Sequence, residues 1–282
     1  MEPKEDTPED HKRRSRFVKR LVQSSTGKET PLVGHPNGIP KTIVQFWDNS
    51  YQLPTDVEDC IGTWKALEVR GYKHLLFNQE EAKLFISNKL GERHSRAFDK
   101  CYHPAMQSDY FRLCYIYING GFYVDADDVY REIEIDHLFM DGRLKIQPLC
   151  YDIATGLMVK PSIFTTLGAH SPKWIFYFNN NPIIAPARHP IIDKALTQAT
   201  LFLEYSSGEV LPEIQSTTGP GNLTKSIFEL DINYVQLKSI LHVLSDWENI
   251  ATTKWDLSYR HDSRNWRLSN QKQLKNEGRE SE

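Results

Sequence analysis

The amino-acid sequence predicts one α/β domain in which a central sheet is layered by helices. Short apolar runs of strand length alternate with longer stretches of helical periodicity along most of the chain. The 282 residues, 39% of them hydrophobic, suffice for one substantial core, since single α/β domains of about 200–250 residues are common. We therefore predict a domain over residues 36–268, preceded by a flexible charged arm (1–35) and followed by a disordered polar tail (269–282).

Local signals place the elements of this domain in order. Strands are predicted at short apolar runs, namely residues 42–46, 72–77, 122–124 and 239–244. Helices are predicted from a capping box at Thr55 and Glu58, over residues 80–90, from Pro104 to Gly120, and from Pro190 to Gly208. His189, just before the last of these helices, is expected to shape its start.

Composition excludes several classes of protein. The formal net charge of −3 is not that of a nucleic-acid binder, which usually has a basic domain. No run approaches the roughly 18 apolar residues of a membrane span, and the N-terminus does not resemble a signal peptide. The four cysteines show neither paired metal spacing nor a small-domain disulfide pattern, so we expect reduced, mostly buried thiols in a cytoplasmic protein.

The N-terminal residues 11–20 form a basic stretch with two readings. It could lie on an anionic membrane surface, where Lys and Arg side chains favour acidic headgroups. The sequence favours the other reading, a solvated, flexible arm, since few of its residues are apolar. The membrane reading nevertheless stays open.

Two carboxylates one residue apart follow the predicted strand 122–124. Alternate residues of an extended segment point the same way, so Asp125 and Asp127 could face one metal ion while Ala126 faces the packed side. Hard cations such as Mn²⁺ and Mg²⁺ take oxygen ligands and fill their other positions with water and substrate phosphates. A bare triplet of this kind is also common at a solvated turn, so its surroundings decide its meaning.

The predicted helix before this strand adds two further charged residues. Asp109 and Arg112 are three apart and share one side of the helix. Gly120 and Gly121 then allow a tight turn into the strand. Helix, turn and strand together are expected to bring Asp109 and Arg112 into one cleft with the acidic pair. The same spacing is also that of an ordinary ion pair within a helix.

This pattern, Asp-x-x-Arg followed by Gly-Gly-x-Tyr-x-Asp-x-Asp, resembles the sugar-binding region of glycosyltransferase family 32. It is also similar to the corresponding region of the large clostridial glucosylating toxins. Further segments resemble other family motifs: Ile39 to Trp47 its opening strand, Asn181 to Ala185 with His189 and Pro190 its middle motif, and Thr218 to Pro220, His261 and Trp266 its later ones. The segment after Asp127 departs from the pattern, because it lacks the expected proline.

The resemblance implies a fold of the GT-A type, a nucleotide-binding α/β sandwich with a mostly parallel central sheet flanked by helices. It implies a sugar transfer from a nucleotide diphosphate donor, with retention of anomeric configuration and a divalent cation, Mn²⁺ or Mg²⁺. The expected donors are uridine diphosphate sugars, and GDP-mannose is the alternative donor. The expected acceptor is a glycan or lipid-linked saccharide, such as a capsule or other surface polysaccharide precursor.

The resemblance also assigns roles to individual residues. Catalytic roles fall to Asp109, Arg112 and Asp127, with Asp125 and Asp127 at the metal. Donor contacts fall to Trp47, Asp109, Arg112, Tyr123, Asp125, Asn181 and Trp266. His261 could complete the metal shell from the C-terminal segment, or be an ordinary surface histidine.

Two other functions remain open at this point. The chain could bind a nucleotide sugar or a glycan without turning it over. It could also be a metal-dependent phosphohydrolase, although two-metal hydrolysis usually needs a second cluster of His and Asp ligands. A domain taken from a longer eukaryotic protein would act in the Golgi lumen rather than in the cytoplasm.

Overall fold

The computed structural model describes residues 6–24, 38–206, 211–262 and 264–265. It confirms the predicted class: a mixed α/β domain whose central sheet is mostly parallel and flanked by helices. Within those residues no helix has both the length and the apolar character needed to cross a bilayer. The predicted tail, residues 269–282, lies outside the described part.

Eleven strands in the described residues form three sheets. The strands are β1 (Thr42–Phe46), β2 (Lys73–Phe77), β3 (Gly121–Tyr123), β4 (Asp128–Tyr130), β5 (Leu144–Ile146), β6 (Pro148–Asp152), β7 (Leu157–Met158), β8 (Trp174–Phe178), β9 (Ile183–Ala185), β10 (Leu241–Val243) and β11 (Ala251–Thr253). The central sheet has the order β10-β5-β9-β3-β1-β2, in which only β9 is antiparallel to its neighbours. Strands β4 and β11 pair antiparallel, as do β7, β6 and β8 in that order.

The helices of the described residues range from four to 17 residues. They are α1 (Pro8–Ser24), α2 (Thr55–Lys65), α3 (Gln79–Leu90), α4 (Glu92–Asp99), α5 (Pro104–Asn119), α6 (Pro161–Phe164), α7 (Pro190–Tyr205), α8 (Ile214–Thr217), α9 (Pro220–Phe228), α10 (Tyr234–Ile240) and α11 (Trp247–Ile250). Short 3₁₀ turns lie at Ser50–Gln52, Ala66–Arg70, Asp136–Phe139 and Ser258–His261.

Most predicted elements are present with small shifts of their ends. Strand β1 has the predicted bounds, and α5 begins at Pro104 and ends before Gly120, whose φ of 67° suits glycine. Helix α2 begins as predicted at Thr55, but no capping box forms there, because the N-cap is Pro54 and makes no side-chain bond. A capping box instead starts α3, between Asn78 and Glu81.

Helix α5 lies at the centre of the domain. It packs against α3, α4, α7, β3 and β9, and its residues from 109 to 116 are all buried. The core around it includes Val44 of β1, Tyr123 of β3 and Ile192 of α7. The four cysteines of the chain are buried and unpaired, as predicted. Because α5 is buried among these elements, its polar residues have fixed positions in the domain.

The flexible arm predicted for residues 1–35 is wrong for residues 8–24, which form helix α1. Val18, Leu21 and Val22 recur at helical spacing and are fully buried against β8 and α9. Gln23 adds hydrogen bonds to the Phe164 and Ala169 carbonyls, at 3.1 and 2.7 Å. The apolar residues of this segment are few, yet they lie together on one face of the helix.

Two acidic residues of α1, Glu9 and Asp10, partly neutralise its exposed basic side chains. Glu9 lies within 3.8 Å of Lys12 and 3.2 Å of Arg16, and Asp10 lies 3.9 Å from Arg13. Exposed pairs of this kind contribute little stability, about 0–1 kcal/mol. They reduce the net positive charge of the surface, and contact with an anionic membrane stays a prediction.

Asp141 forms an ion pair with Lys145, a buried residue of β5. Lys145 is almost fully buried and donates to the Asp141 carboxylate and to the carbonyls of Asp141 and Arg143. Burial opposes ionisation of Asp141, but hydrogen bonds from Arg143 and Lys145 lower its pKa to about 2. Since this pKa is below the unfolded value of 3.8, the pair stabilises the fold above about pH 4, and that contribution is lost as the pH falls towards 2.

We expect Asp141→Asn to lower the free energy of unfolding at pH 7 by about 3 kcal/mol, because Lys145 stays buried without its carboxylate partner. Urea unfolding at about pH 7 and pH 3 checks this, and the difference from wild type should shrink at the lower pH. Asp193→Asn, at an exposed position on α7, is the control and should change neither value. An equal loss at both pH values would contradict the ion-pair explanation.

Candidate functional site

A cavity of about 730 Å³ lies at the carboxyl ends of β1 and β3. Phe46, Trp47 and Asp48 enter its lining where β1 ends, and residues 125–127 enter it after β3. Helix α5 contributes residues 104–112 in part, including Asp109 and Arg112. Ligands of open α/β sheets bind at such strand ends, as the sequence predicted for Trp47 and the acidic pair.

The acidic pair lies in a turn rather than in the extended segment that the sequence predicted. The Asp128 amide donates to the Asp125 carbonyl at 3.2 Å, which closes the turn between β3 and β4. Both Asp125 and Asp127 nevertheless line the cavity, and Ala126 is buried against Trp47 in a small cluster. Both acids therefore face the cavity as predicted, although the backbone forms a turn there and not an extended strand.

Asn181 holds this turn in place. Its side-chain carbonyl accepts from the Asp125 amide at 3.0 Å, and its amide donates to Asp128 Oδ2 at 2.8 Å. Asn181 was predicted to touch the donor sugar. Asn181 also lines the cavity, so it positions the turn, and its contact with a sugar stays a prediction.

Asp128 directly follows the acidic pair, in the segment that lacks the expected proline, and it is fully buried and not in the cavity lining. Its Oδ1 accepts from Thr253 at 2.6 Å, and its backbone carbonyl accepts from Trp64 at 2.8 Å. Burial raises the pKa of Asp128 to about 7, and the charges of Asp127 and Asp125 add to that rise. The third acid of the motif thus joins the turn to β11 and α2.

A buried charge cluster joins α5 to the acidic turn. Arg112 lies 2.9 Å from Asp125 Oδ1 and 3.0 Å from Asp109 Oδ1, and it donates to the Asn180 carbonyl at 2.7 Å. The same guanidinium donates to the carbonyl and hydroxyl of Ser108. Burial raises the pKa of Asp109, and Arg112 opposes that rise. One cation therefore balances two carboxylates on the cavity wall.

Tyr123 does not reach the cavity, contrary to the prediction that it lies beside a nucleotide. It is fully buried, and the Arg112 guanidinium lies 4.3 Å from its ring centroid. Its hydroxyl is 2.6 Å from that of Ser108. As part of β3, the side chain points into the core beneath the charge cluster, so it supports Arg112 instead of lining the site.

Trp47 lines the cavity with little exposed surface. The ring of Tyr259 meets it edge to face at a centroid distance of 5.2 Å, and the Arg264 guanidinium lies 5.5 Å from its centroid. The indole Nε1 is buried and has no hydrogen-bond partner among the described residues. A buried donor of this kind is usually satisfied by a bound water, an ion or a ligand.

The C-terminal segment covers the second carboxylate. Asp127 Oδ2 accepts from the Tyr259 hydroxyl at 2.7 Å and forms an ion pair with Arg260. Ser258 is held by Asp56 of α2 through its amide and its hydroxyl. The sequence pointed instead to His261, which is exposed and does not line the cavity, because the 3₁₀ turn directs its two predecessors inward. Trp266 lies outside the described residues.

The two carboxylates of the turn suit a hard divalent cation. Oδ2 of Asp125 and Oδ1 of Asp127 accept no hydrogen bond from the described part of the chain, whereas their other oxygens do. In that part, no three His, Cys, Asp or Glu side chains are grouped as metal ligands. Mg²⁺ and similar ions usually take one or two carboxylates and complete their shell with water and phosphate oxygens, so the donor set fits.

We expect Arg260→Met to tighten the binding of Mn²⁺ without any nucleotide by about tenfold, or about 1.4 kcal/mol, because Arg260 competes with a cation for Asp127. Titration followed by electron paramagnetic resonance measures this affinity. Arg264→Met is the matched control, since Arg264 pairs with Asp262 and contacts neither acid of the turn. Unchanged Mn²⁺ affinity in Arg260→Met would show that the ion pair does not compete with metal.

The motif of Thr218, Gly219 and Pro220 packs behind Asp109. A Cβ at Gly219 would lie 3.1 Å from Asp109 Oδ2 and 3.0 Å from the Gln215 Cα, so the close approach needs glycine. This glycine is the N-cap of α9. His189 has the structural role predicted for it: it caps α7 and contacts the Ile240 carbonyl.

Comparison with known proteins identifies the class of protein. Residues 54–141 match the family model described as a glycosyltransferase sugar-binding region containing the DXD motif. An uncharacterized glycosyltransferase of Acanthamoeba polyphaga mimivirus is 27% identical over 100 residues, which are 33% of this chain and 38% of the viral protein. The PaToxG glycosyltransferase structure aligns with 18% identity and a TM-score of 0.44, covering 78% of each chain.

The chain thus carries a segment similar to the DXD sugar-binding region of glycosyltransferases, which confirms the resemblance found in the sequence. The matched segment includes α5, β3 and both acids of the turn, so it contains the charge cluster described above. The alignment with the viral relative covers only 38% of that protein's length.

Proposed function

We propose that the protein is a metal-dependent, retaining glycosyltransferase that moves a sugar from a nucleotide diphosphate donor to an acceptor hydroxyl. One observation carries the proposal: Trp47, Asp109, Arg112 and the two acids of the turn, Asp125 and Asp127, line one cavity. Its volume of about 730 Å³ is within the range of about 300–1,000 Å³ for small-molecule sites.

Different residues of the site contact different parts of the donor. Trp47 stacks on the base, on the ring face over which the planar Arg264 guanidinium now lies. Asp109 and Arg112 contact the donor sugar, and the fixed positions of both support a role in orienting it. Asp125 and Asp127 would hold Mn²⁺ or Mg²⁺ with their carboxylates.

The reaction exchanges one bond to the anomeric carbon for another. The bond to the diphosphate oxygen breaks with its electron pair, the acceptor oxygen attacks from the same face, and the acceptor proton passes to the departing phosphate oxygen. A divalent cation at the two aspartates would neutralise the charge that grows on the diphosphate. Arg112 adds a fixed positive charge, and Asp109 stabilises the positive character of the sugar.

The family resemblance guides the choice of substrates. Uridine diphosphate hexoses or N-acetylhexosamines are the favoured donors, and GDP-mannose is the alternative. The acceptor is a glycan or lipid-linked saccharide, such as a capsular or other surface polysaccharide precursor. The protein would then act in the cytoplasm, or in the Golgi lumen if it is part of a eukaryotic enzyme.

A donor panel tests the proposal. The protein is incubated with Mn²⁺ and a set of UDP- and GDP-sugars, and release of the nucleoside diphosphate is measured with and without simple glycoside acceptors. We expect one donor to be used above the others, with loss of turnover when EDTA removes the metal. The anomeric configuration of the product, read by proton NMR, reports retention or inversion.

Other outcomes would contradict the proposal. Tight donor binding without turnover, with every acceptor tried, would favour a nucleotide-sugar binding protein. Release of inorganic phosphate from simple phosphate esters, independent of any sugar donor, would favour a phosphohydrolase. Trapping of a glycosylated side chain would exclude same-face attack without a protein-bound intermediate.

A further inference from the structure

The sheet formed by β6, β7 and β8 has one buried face and one apolar outward face. Cys150 of β6, together with Phe176 and Phe178 of β8, is buried in the main core beside α1, and Pro148 of β6 is buried as well. Side chains alternate along each strand, so their neighbours point the other way. The outward residues are Leu149, Tyr151, Met158, Ile175 and Tyr177.

The strand register places these five side chains in two adjoining rows. Met158, Tyr151 and Ile175 are direct partners across the three strands, and Leu149 is the partner of Tyr177. None of the five is charged. Antiparallel sheets with one free face normally carry polar residues there, so this face departs from the usual alternation. Met158 and Ile175 leave 46% and 41% of their surface exposed.

The outward face is continuous with the candidate active site. Leu149, Met158 and Tyr177 line the cavity that also contains Asp125 and Asp127. The rows then extend beyond the cavity through Tyr151 and Ile175. A molecule with its reacting group in the cavity therefore has a direct path onto this face.

We propose that this face, the outward side of β6, β7 and β8, binds an apolar part of the acceptor. The inference rests on the proposed sugar transfer and specifies its acceptor as an amphiphile, with a hydroxyl-bearing sugar at the site and an alkyl chain on the sheet. Aliphatic side chains favour an alkyl group, since burial of its methylenes is the main driving force. The rings of Tyr151 and Tyr177 suit the junction of sugar and chain, because they combine apolar faces with a polar end.

The dimensions agree with such an occupant. Three strands about 4.8 Å apart give a face about 10 Å across, which an eight-carbon chain covers. A contiguous apolar patch on a protein surface, here beside a polar cavity, commonly marks a binding site. A sugar-only acceptor would leave this surface without a ligand.

Binding is tested with n-octyl β-D-glucopyranoside, below its micelle concentration, against methyl β-D-glucopyranoside. Saturation-transfer NMR measures both without any turnover, so the result does not depend on the donor. We expect the octyl compound to bind at least tenfold more tightly than the methyl compound. In Ile175→Asp, which changes the face outside the cavity lining, this preference should fall at least fivefold.

Matched variants keep the test specific. Val235→Asp changes an exposed apolar residue of α10, which is 78% exposed, and should keep the full preference. Ile175→Ser is a milder change of the same face and guards against a folding defect, which circular dichroism would reveal. An octyl preference that is absent, or that survives in both Ile175 variants, would overturn the inference.

Turnover separates this inference from the proposed function. With the donor selected by the panel, octyl glycosides should show a KM at least tenfold below that of methyl glycosides in wild type and in Val235→Asp, and this difference should shrink in Ile175→Asp. Absence of all donor turnover defeats the proposed function, whereas turnover without an octyl preference defeats only the acceptor assignment. A concentration-dependent dimer that Ile175→Asp dissociates, without an octyl preference, would assign the face to a second copy instead.

Discussion

Replacing Asp127 with asparagine is expected to lower kcat/KM for the nucleotide sugar by about 10²–10³-fold while leaving the fold intact. Asp127 is on the cavity wall, its Oδ1 is available for a cation, and its loss would remove a full negative charge from the site. Because Tyr259 and Arg260 hold only Oδ2, an amide at this position should still pack. Donor turnover and urea unfolding together measure the two effects.

Asp193→Asn provides the control for Asp127→Asn, since it makes the same chemical change at an exposed site. It should retain wild-type turnover. A variant at Asp127 that keeps more than a third of wild-type activity, with unchanged dependence on Mn²⁺, would remove this residue from the catalytic scheme.

Replacing Arg112 is expected to reduce both stability and activity. Arg112→Met leaves Asp109 and Asp125 without their shared cation and removes hydrogen bonds to Ser108 and Asn180. Breaking a buried ion pair costs about 3–5 kcal/mol of unfolding free energy, because the remaining charge stays buried. We expect a loss in that range, with donor turnover abolished.

Arg112→Lys separates charge from geometry. A lysine keeps the positive charge, but one ammonium group cannot reproduce the planar set of donors that reaches both carboxylates and the Asn180 carbonyl. It should recover part of the stability and little of the activity. The double variant Asp109→Asn/Arg112→Met removes the orphaned charge of Asp109. It should unfold at higher urea than Arg112→Met, or fold where Arg112→Met does not; otherwise the pairing has no energetic role.

The part of the site that the sequence could predict depends on local signals. Pro104 and Gly120 mark the ends of α5, and the spacing of Asp109 and Arg112 places them on one side of it. The position of Asp125 and Asp127 after a short strand predicts their place at the edge of the sheet. These features hold because each depends on residues close together in the chain.

The residues that sequence reasoning missed reach the site from distant segments. Arg260 and Tyr259 contact Asp127 across more than 130 residues, and no local pattern predicts that pairing. The only signal was the neighbouring His261, which the structure turns outward. The bonds of the Asn181 side chain to the turn could not be foreseen from its motif either, and its contact with the sugar stays a prediction.

Helix α1 shows a limit of reading composition alone. Its seven positively charged or histidine side chains between residues 11 and 20 dominate the segment, and they favoured a flexible arm. Its stability comes from Val18, Leu21 and Val22, whose partners lie on β8 and α9 about 150–210 residues away. Tertiary packing of that kind is not visible in a local window of sequence.

The central claim is that Asp125 and Asp127 hold a divalent cation against the diphosphate of a donor. Electron paramagnetic resonance of Mn²⁺, titrated with and without uridine diphosphate, tests it most directly in wild type, Asp127→Asn and Asp193→Asn. We predict that the nucleotide tightens Mn²⁺ binding at least tenfold in wild type and Asp193→Asn, and that this gain disappears in Asp127→Asn. If Mn²⁺ binding with the nucleotide is the same in all three proteins, the claim is contradicted.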